Sequence, residues 1–165
     1  MIYEFCAENV TLLEKAMQAG ARRIELCDNL AVGGTTPSYG VTKAAVELAS
    51  DYDTTIMTMI RPRGGDFVYN DLEISIMLED IRVTAQAGSQ GVVFGALTAD
   101  KKLDKSNLEK LIAASKGMEI VFHMAFDELS DEDQLEAIDW LSQAGVTRIL
   151  TRAGVSGDSL EKRFA

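Results

Sequence analysis

Apolar positions along the chain fall into two kinds of run that alternate from end to end. Short, dense runs at residues 2–7, 23–27, 54–60, 91–95, 119–125 and 147–151 read as strands. Longer runs between them carry apolar residues at helical spacing. Asn9 is placed to cap a first helix with Leu12, Leu13, Ala16 and Met17 inward, stopping at Gly20. A second starts near Ser38 and directs Val41, Ala44, Ala45 and Leu48 inward. A third covers 70–87 with Leu72, Ile76, Met77 and Ile81 inward, and a short fourth covers 105–115. A fifth starts at the cap Ser130, buries Leu135, Ile138 and Leu141, and ends at Gly145. Residues 156–165 read as the start of a sixth.

Strand–helix alternation predicts a parallel sheet, because parallel neighbours need a crossover. The run Ile56-Met57-Thr58-Met59-Ile60 carries no charge and suits a strand covered on both faces. Gln-Ala-Gly recurs at 18–20, 86–88 and 143–145, each time ending a helix just before a strand. Crossovers of one hand curl such a sheet towards a barrel. The expected fold is therefore α/β, a single TIM-type (β/α) barrel domain over 1–165 with about six of eight βα units. An open doubly wound sheet is the alternative, but no Gly-rich dinucleotide fingerprint follows the first strand. Six strands leave two edges of unpaired backbone groups, a template for pairing with another chain. Aggregation, marginal stability or homo-oligomerisation is the expected consequence, with apolar core exposed.

At 165 residues and 47% hydrophobic, the chain can bury one sizeable core. Its net charge of -10 argues against nucleic acid or an anionic membrane as partner. No run is apolar and long enough to span a bilayer, and no secretory leader is evident. Two cysteines in strands, with no disulfide framework, suit a reduced, cytoplasmic setting.

Chemistry collects where strands end. Glu-x-Cys occurs twice, as Glu4-Phe5-Cys6 and Glu25-Leu26-Cys27, so on neighbouring strands a carboxylate and a thiol share a face in each. Two thiolates are soft ligands for Cu(I) or Zn, and Met57 and Met59 could add thioethers. The alternative is that these cysteines and methionines pack as ordinary core. Arg61 and Arg63 flank Pro62 in a Gly-rich loop with Asp66 and suit a carboxylate or phosphate, or pairing with Glu4, Glu25 or Asp66. His123, the sole histidine, precedes Asp127 and could serve as a general acid or base or lie buried. As an enzyme, the chain would use Glu25, Arg61 and His123 in catalysis. Glu4, Glu25, Arg61, Arg63, His123 and Asp127 would then form a rim for a small anionic substrate.

Glu25-Leu26-Cys27 with Gly33-Gly34-Thr35-Thr36-Pro37-Ser38, the block from Met59 to Tyr69, Gly91 to Gly95, Phe122 to Asp127 and Arg148 to Thr151 together resemble the CutC family, called copper homeostasis proteins. That resemblance implies a cytoplasmic TIM-type barrel that handles copper, with the family's proposed Cu(I) ligands falling on Cys6 and Cys27. The expected partner is then a copper ion or a small-molecule ligand. Met124 stands where family members commonly carry Arg, which removes a positive charge from the rim. The resemblance also implies two further βα units after Thr151.

Overall fold

The computed structural model describes residues 1–152, so the expected helix at 156–165 lies outside the described residues. Six strands form one parallel sheet in sequence order: β1 (Glu4–Glu8), β2 (Arg23–Cys27), β3 (Thr55–Met59), β4 (Gly91–Phe94), β5 (Glu119–Phe122) and β6 (Arg148–Ile149). Crossover helices α1 (Leu13–Gln18), α2 (Tyr39–Ala49), α3 (Asp71–Ala87), α4 (Lys105–Ala114) and α5 (Asp131–Gln143) join them. The sheet curls into a half-barrel, an incomplete (β/α) barrel with β1 and β6 at its edges.

Strand alternation divides the core into two layers. Outward residues such as Ile24, Leu26, Ile56, Val92, Phe94, Ile120 and Phe122 pack under the helices. Inward residues Cys27, Met57, Met59, Val93 and Val121 form a second, smaller cluster inside the curl. Each fully buried aliphatic side chain contributes about 1.5–3 kcal/mol relative to exposure. β3 is sealed on both faces, as its uncharged run requires, so the core is not laid open there. Exposed apolar residues beside the β1 edge include Tyr3, Phe5 and Leu12.

Glycines of the three Gln-Ala-Gly repeats, Gly20, Gly88 and Gly145, all take the left-handed conformation that terminates a helix. Helix beginnings depart further from expectation. Asn9 does not cap α1: its amide is tied to the Cys27 carbonyl and its φ is positive, as is that of Leu12, so the helix begins only at Leu13. In α3 a capping box between Asn70 and Glu73 fixes the start of the helix. Its core-facing stripe is Ile74, Met77, Ile81 and Thr84, while Leu72 is 71% exposed and Ile76 is exposed too. Similarly α5 buries Ala137 and Leu141 and exposes Leu135 and Ile138, and α2 buries Thr42, Ala45 and Ala49 but not Ala44. β5 stops at Phe122 because the His123 side chain accepts from the Ala125 amide and starts a short 3-10 turn, Met124–Glu128.

Candidate metal centre

Parallel register sets the centre. Cys6 lies opposite Glu25, and Glu8 opposite Cys27, so the two Glu-x-Cys pairs are offset along neighbouring strands with both thiols inside the curl. Cys6 Sγ is 3.4 Å from Glu25 Oε1 and 4.0 Å from Cys27 Sγ, while Cys27 Sγ is 3.8 Å from the same carboxylate oxygen. Their ligand atoms all lie within 4.8 Å of one another, the single such cluster of histidine, cysteine and acidic side chains among the described residues. Cys27 is fully buried, Glu25 is 6% exposed and Cys6 is open to the cavity.

Charge is unwelcome here in the absence of a cation. Burial raises the Glu25 carboxyl above the usual carboxylate range, against the lowering effect of the Cys6 thiol that donates to it. The Cys27 thiol is pushed up, first by its hydrogen bond with Cys6, then by burial and by the neighbouring Glu25 charge. A bound cation reverses this balance, since it is the positive charge that two thiolates and a carboxylate require.

A loop closes the centre from above. Gly34 adopts φ +89, and a Cβ there would sit 3.0 Å from Cys27 Sγ and 3.6 Å from the Met59 methyl. Gly34→Ala is therefore expected to destabilise the fold by about 1–3 kcal/mol through backbone strain and displacement of the thiol. Urea unfolding measures this, and an unchanged midpoint would show that the loop yields freely.

The remaining predicted site residues separate into three groups. Glu4 lies on the same inner wall as Cys6 and is paired with Arg23 at 3.2 Å. Arg61 is buried in the loop layer, where Nη1 donates to the carbonyls of Val32 (2.8 Å) and Gly34 (2.9 Å) and Nη2 to that of Gly65 (2.8 Å). It also stacks over Phe67, so its partners are carbonyls and a ring rather than the expected Glu4, Glu25 or Asp66. His123 is enclosed nearby, with its ring 4.9 Å from Phe67, and Asp127 accepts from the Thr151 hydroxyl and the Arg152 amide. Arg63 turns outward and pairs with Asp66, as expected, and with Glu73. Met57 is fully buried, and its sulfur receives a weak contact from Arg148 Nη2 at 3.5 Å.

A cavity of about 530 Å³ runs past the centre, with Glu4, Cys6 and Glu25 on one wall and Met124, Arg148 and Arg152 among the residues opposite. Sequence reasoning missed both arginines. The available signal was position: Arg148 opens β6 and Arg152 follows its end.

Residues 1–163 match the sequence model of the CutC family. A family protein CutC from Enterococcus faecalis is 54% identical over 164 residues, which cover 99% of this chain and 78% of that protein. The crystal structure of a Streptococcus agalactiae chain, named as a copper homeostasis protein CutC, superposes with a TM-score of 0.95 at 47% identity, covering 99% of this chain and 78% of that one. An archaeal fructose 1,6-bisphosphate aldolase reaches a TM-score of 0.61 at 15% identity, over 84% of this chain and 52% of that one, a likeness of fold alone.

Proposed function

Since the chain belongs to the CutC family, we propose that it is a cytoplasmic copper homeostasis protein that binds Cu(I) through Cys6 and Cys27. The observation that carries this reading is the pair of thiols 4.0 Å apart, both within reach of one Glu25 oxygen. Cu(I) favours soft ligands and accepts low coordination numbers, so two thiolates supply its principal bonds. Glu25 is a harder donor, and its part is to take up one thiol proton as the metal enters, the other leaving to solvent through the cavity that Cys6 faces. Cys6 stands at the cavity and Cys27 at the closed end, so the ion would be met first by Cys6 and then held by both. The same exposure of Cys6 gives an acceptor protein a sulfur to engage, which is what trafficking by ligand exchange requires. The setting fits a reducing compartment, and no helix among the described residues is long and apolar enough to cross a membrane.

Anaerobic titration of Cu(I) against a chromophoric competitor tests the proposal. Cys6→Ser and Cys27→Ser are each expected to abolish tight binding. Unchanged affinity in the double variant would remove the cysteines from the site.

A second reading, an enzyme acting on a small anion, rests on the cavity and the guanidinium groups of Arg148 and Arg152 that line it. It is the weaker one, because Arg61 is committed to three carbonyls and His123 is enclosed.

A further inference from the structure

We propose that Cys6 and Cys27 form a peroxide-oxidisable dithiol whose disulfide form switches the metal centre off; the consequence for metal rests on the copper reading, the oxidation itself does not. Three observations carry it. The sulfurs are 4.0 Å apart on adjacent strands, and a disulfide holds them at about 2.05 Å, so roughly 2 Å must be closed. Cys6 registers with Glu25 and not with Cys27, so the two Cα atoms lie about 8 Å apart, and closure requires β1, at the edge of the sheet, to shift along β2 as well as the side chains to rotate. Second, the two differ in access: Cys6 faces the cavity and Cys27 is sealed beneath Gly34. Third, the chain contains two cysteines and no more, so within one molecule each has a single partner.

The difference in access orders the chemistry. Hydrogen peroxide reaches the Cys6 sulfur from the cavity; its O–O bond breaks, one oxygen stays on sulfur as sulfenic acid and the other leaves as water. Cys27 sulfur then attacks Cys6 sulfur, the S–O bond breaks, and the departing oxygen leaves as a second water with the Cys27 proton. Both sulfurs are oxidised by one electron each and the peroxide takes up the pair. The product has no thiolate left to offer a soft cation. Metal-loaded and disulfide forms are therefore mutually exclusive states of one site.

The test treats metal-free reduced protein with hydrogen peroxide, alkylates remaining thiols, and reads the digest by mass spectrometry. The expected product is an intramolecular cross-link between the peptides carrying Cys6 and Cys27, reversed by dithiothreitol. Cys27→Ser should instead leave Cys6 as sulfenic acid, captured by dimedone, while Cys6→Ser should leave Cys27 unmodified at the same peroxide dose. Cu(I) uptake by the cross-linked protein is expected to fall to background and return after reduction. Stepwise over-oxidation of Cys6 with Cys27 still reduced, or cross-links only between molecules, would overturn the proposal. If reduced protein takes up Cu(I) but never cross-links, the switch fails and the metal reading stands. If it cross-links but the reduced form takes up no Cu(I), the metal reading falls, and the consequence with it, while the oxidation stands.

Discussion

Arg61→Met is expected to remove about 3–5 kcal/mol of folding stability. The guanidinium is buried and is the donor for three loop carbonyls, those of Val32, Gly34 and Gly65. The buried Gly34 carbonyl left without a donor loses about 1–3 kcal/mol, while those of Val32 and Gly65, on exposed residues, recover part of their loss from solvent. The same side chain joins the loop after β2 to the loop after β3, so its loss frees the segment that carries Gly34 over Cys27. A globular domain has only about 5–15 kcal/mol in total, so the variant should unfold at a much lower urea midpoint. Fluorescence of the single tryptophan, Trp140, provides the signal. Arg61→Lys should recover a minor part, because an ammonium is a point donor and cannot span carbonyls on different sides of a planar fork. A midpoint within error of the parent for Arg61→Met would show that the loops hold without it.

Acid should destabilise the fold through His123. Burial holds the imidazole neutral, the nearby Arg61 charge adds to this, and its pKa is lowered from 6.5 to about 3. Below 6.5 the unfolded chain takes up a proton that the native state refuses, so stability falls as pH falls. The contribution is complete above 6.5 and is lost progressively down to about 3. Each unit in that window is worth about 1.4 kcal/mol, so two units of acidification remove about 2–3 kcal/mol. Glu25 acts with the opposite sign: its raised pKa means that the native state holds a proton longer than the unfolded chain, which favours folding at lower pH. The difference between parent and variant isolates the histidine. His123→Asn retains an acceptor for the Ala125 amide while removing the titration. Its absolute stability should be lower, for lack of the ring that packs on Phe67, but its stability should change less between neutral and acid pH. Parallel pH profiles for the two proteins would place the acid sensitivity elsewhere.

Local pattern by itself determined the number, order and direction of the strands. Parallel pairing followed from alternation with helices, because chain direction permits no other neighbour arrangement over such crossovers. The left-handed glycines at 20, 88 and 145 were equally legible, since that backbone conformation disfavours a side chain. Parity along β1 and β2 put Cys6, Glu25 and Cys27 on matching faces, for side-chain alternation is a property of one strand at a time. Tertiary structure decided the rest. Strand register brought two thiols and a carboxylate within 4.8 Å, and register depends on packing between strands. The inward face of α3 was set by packing, which takes Ile74, Met77 and Ile81 into the core cluster and leaves Leu72 and Ile76 outside it. Arg61 and His123 looked like chemistry in the sequence because a charged or titratable side chain at a strand end suits both a site and a support. Only their surroundings tell the two apart: three carbonyls for Arg61, and for His123 an enclosure where a Cβ on Gly95 would come within 2.8 Å of the ring. Arg148 and Arg152 reached the cavity wall through the curl of the sheet, which carries β6 round to face the thiols, and no local periodicity encodes that curvature.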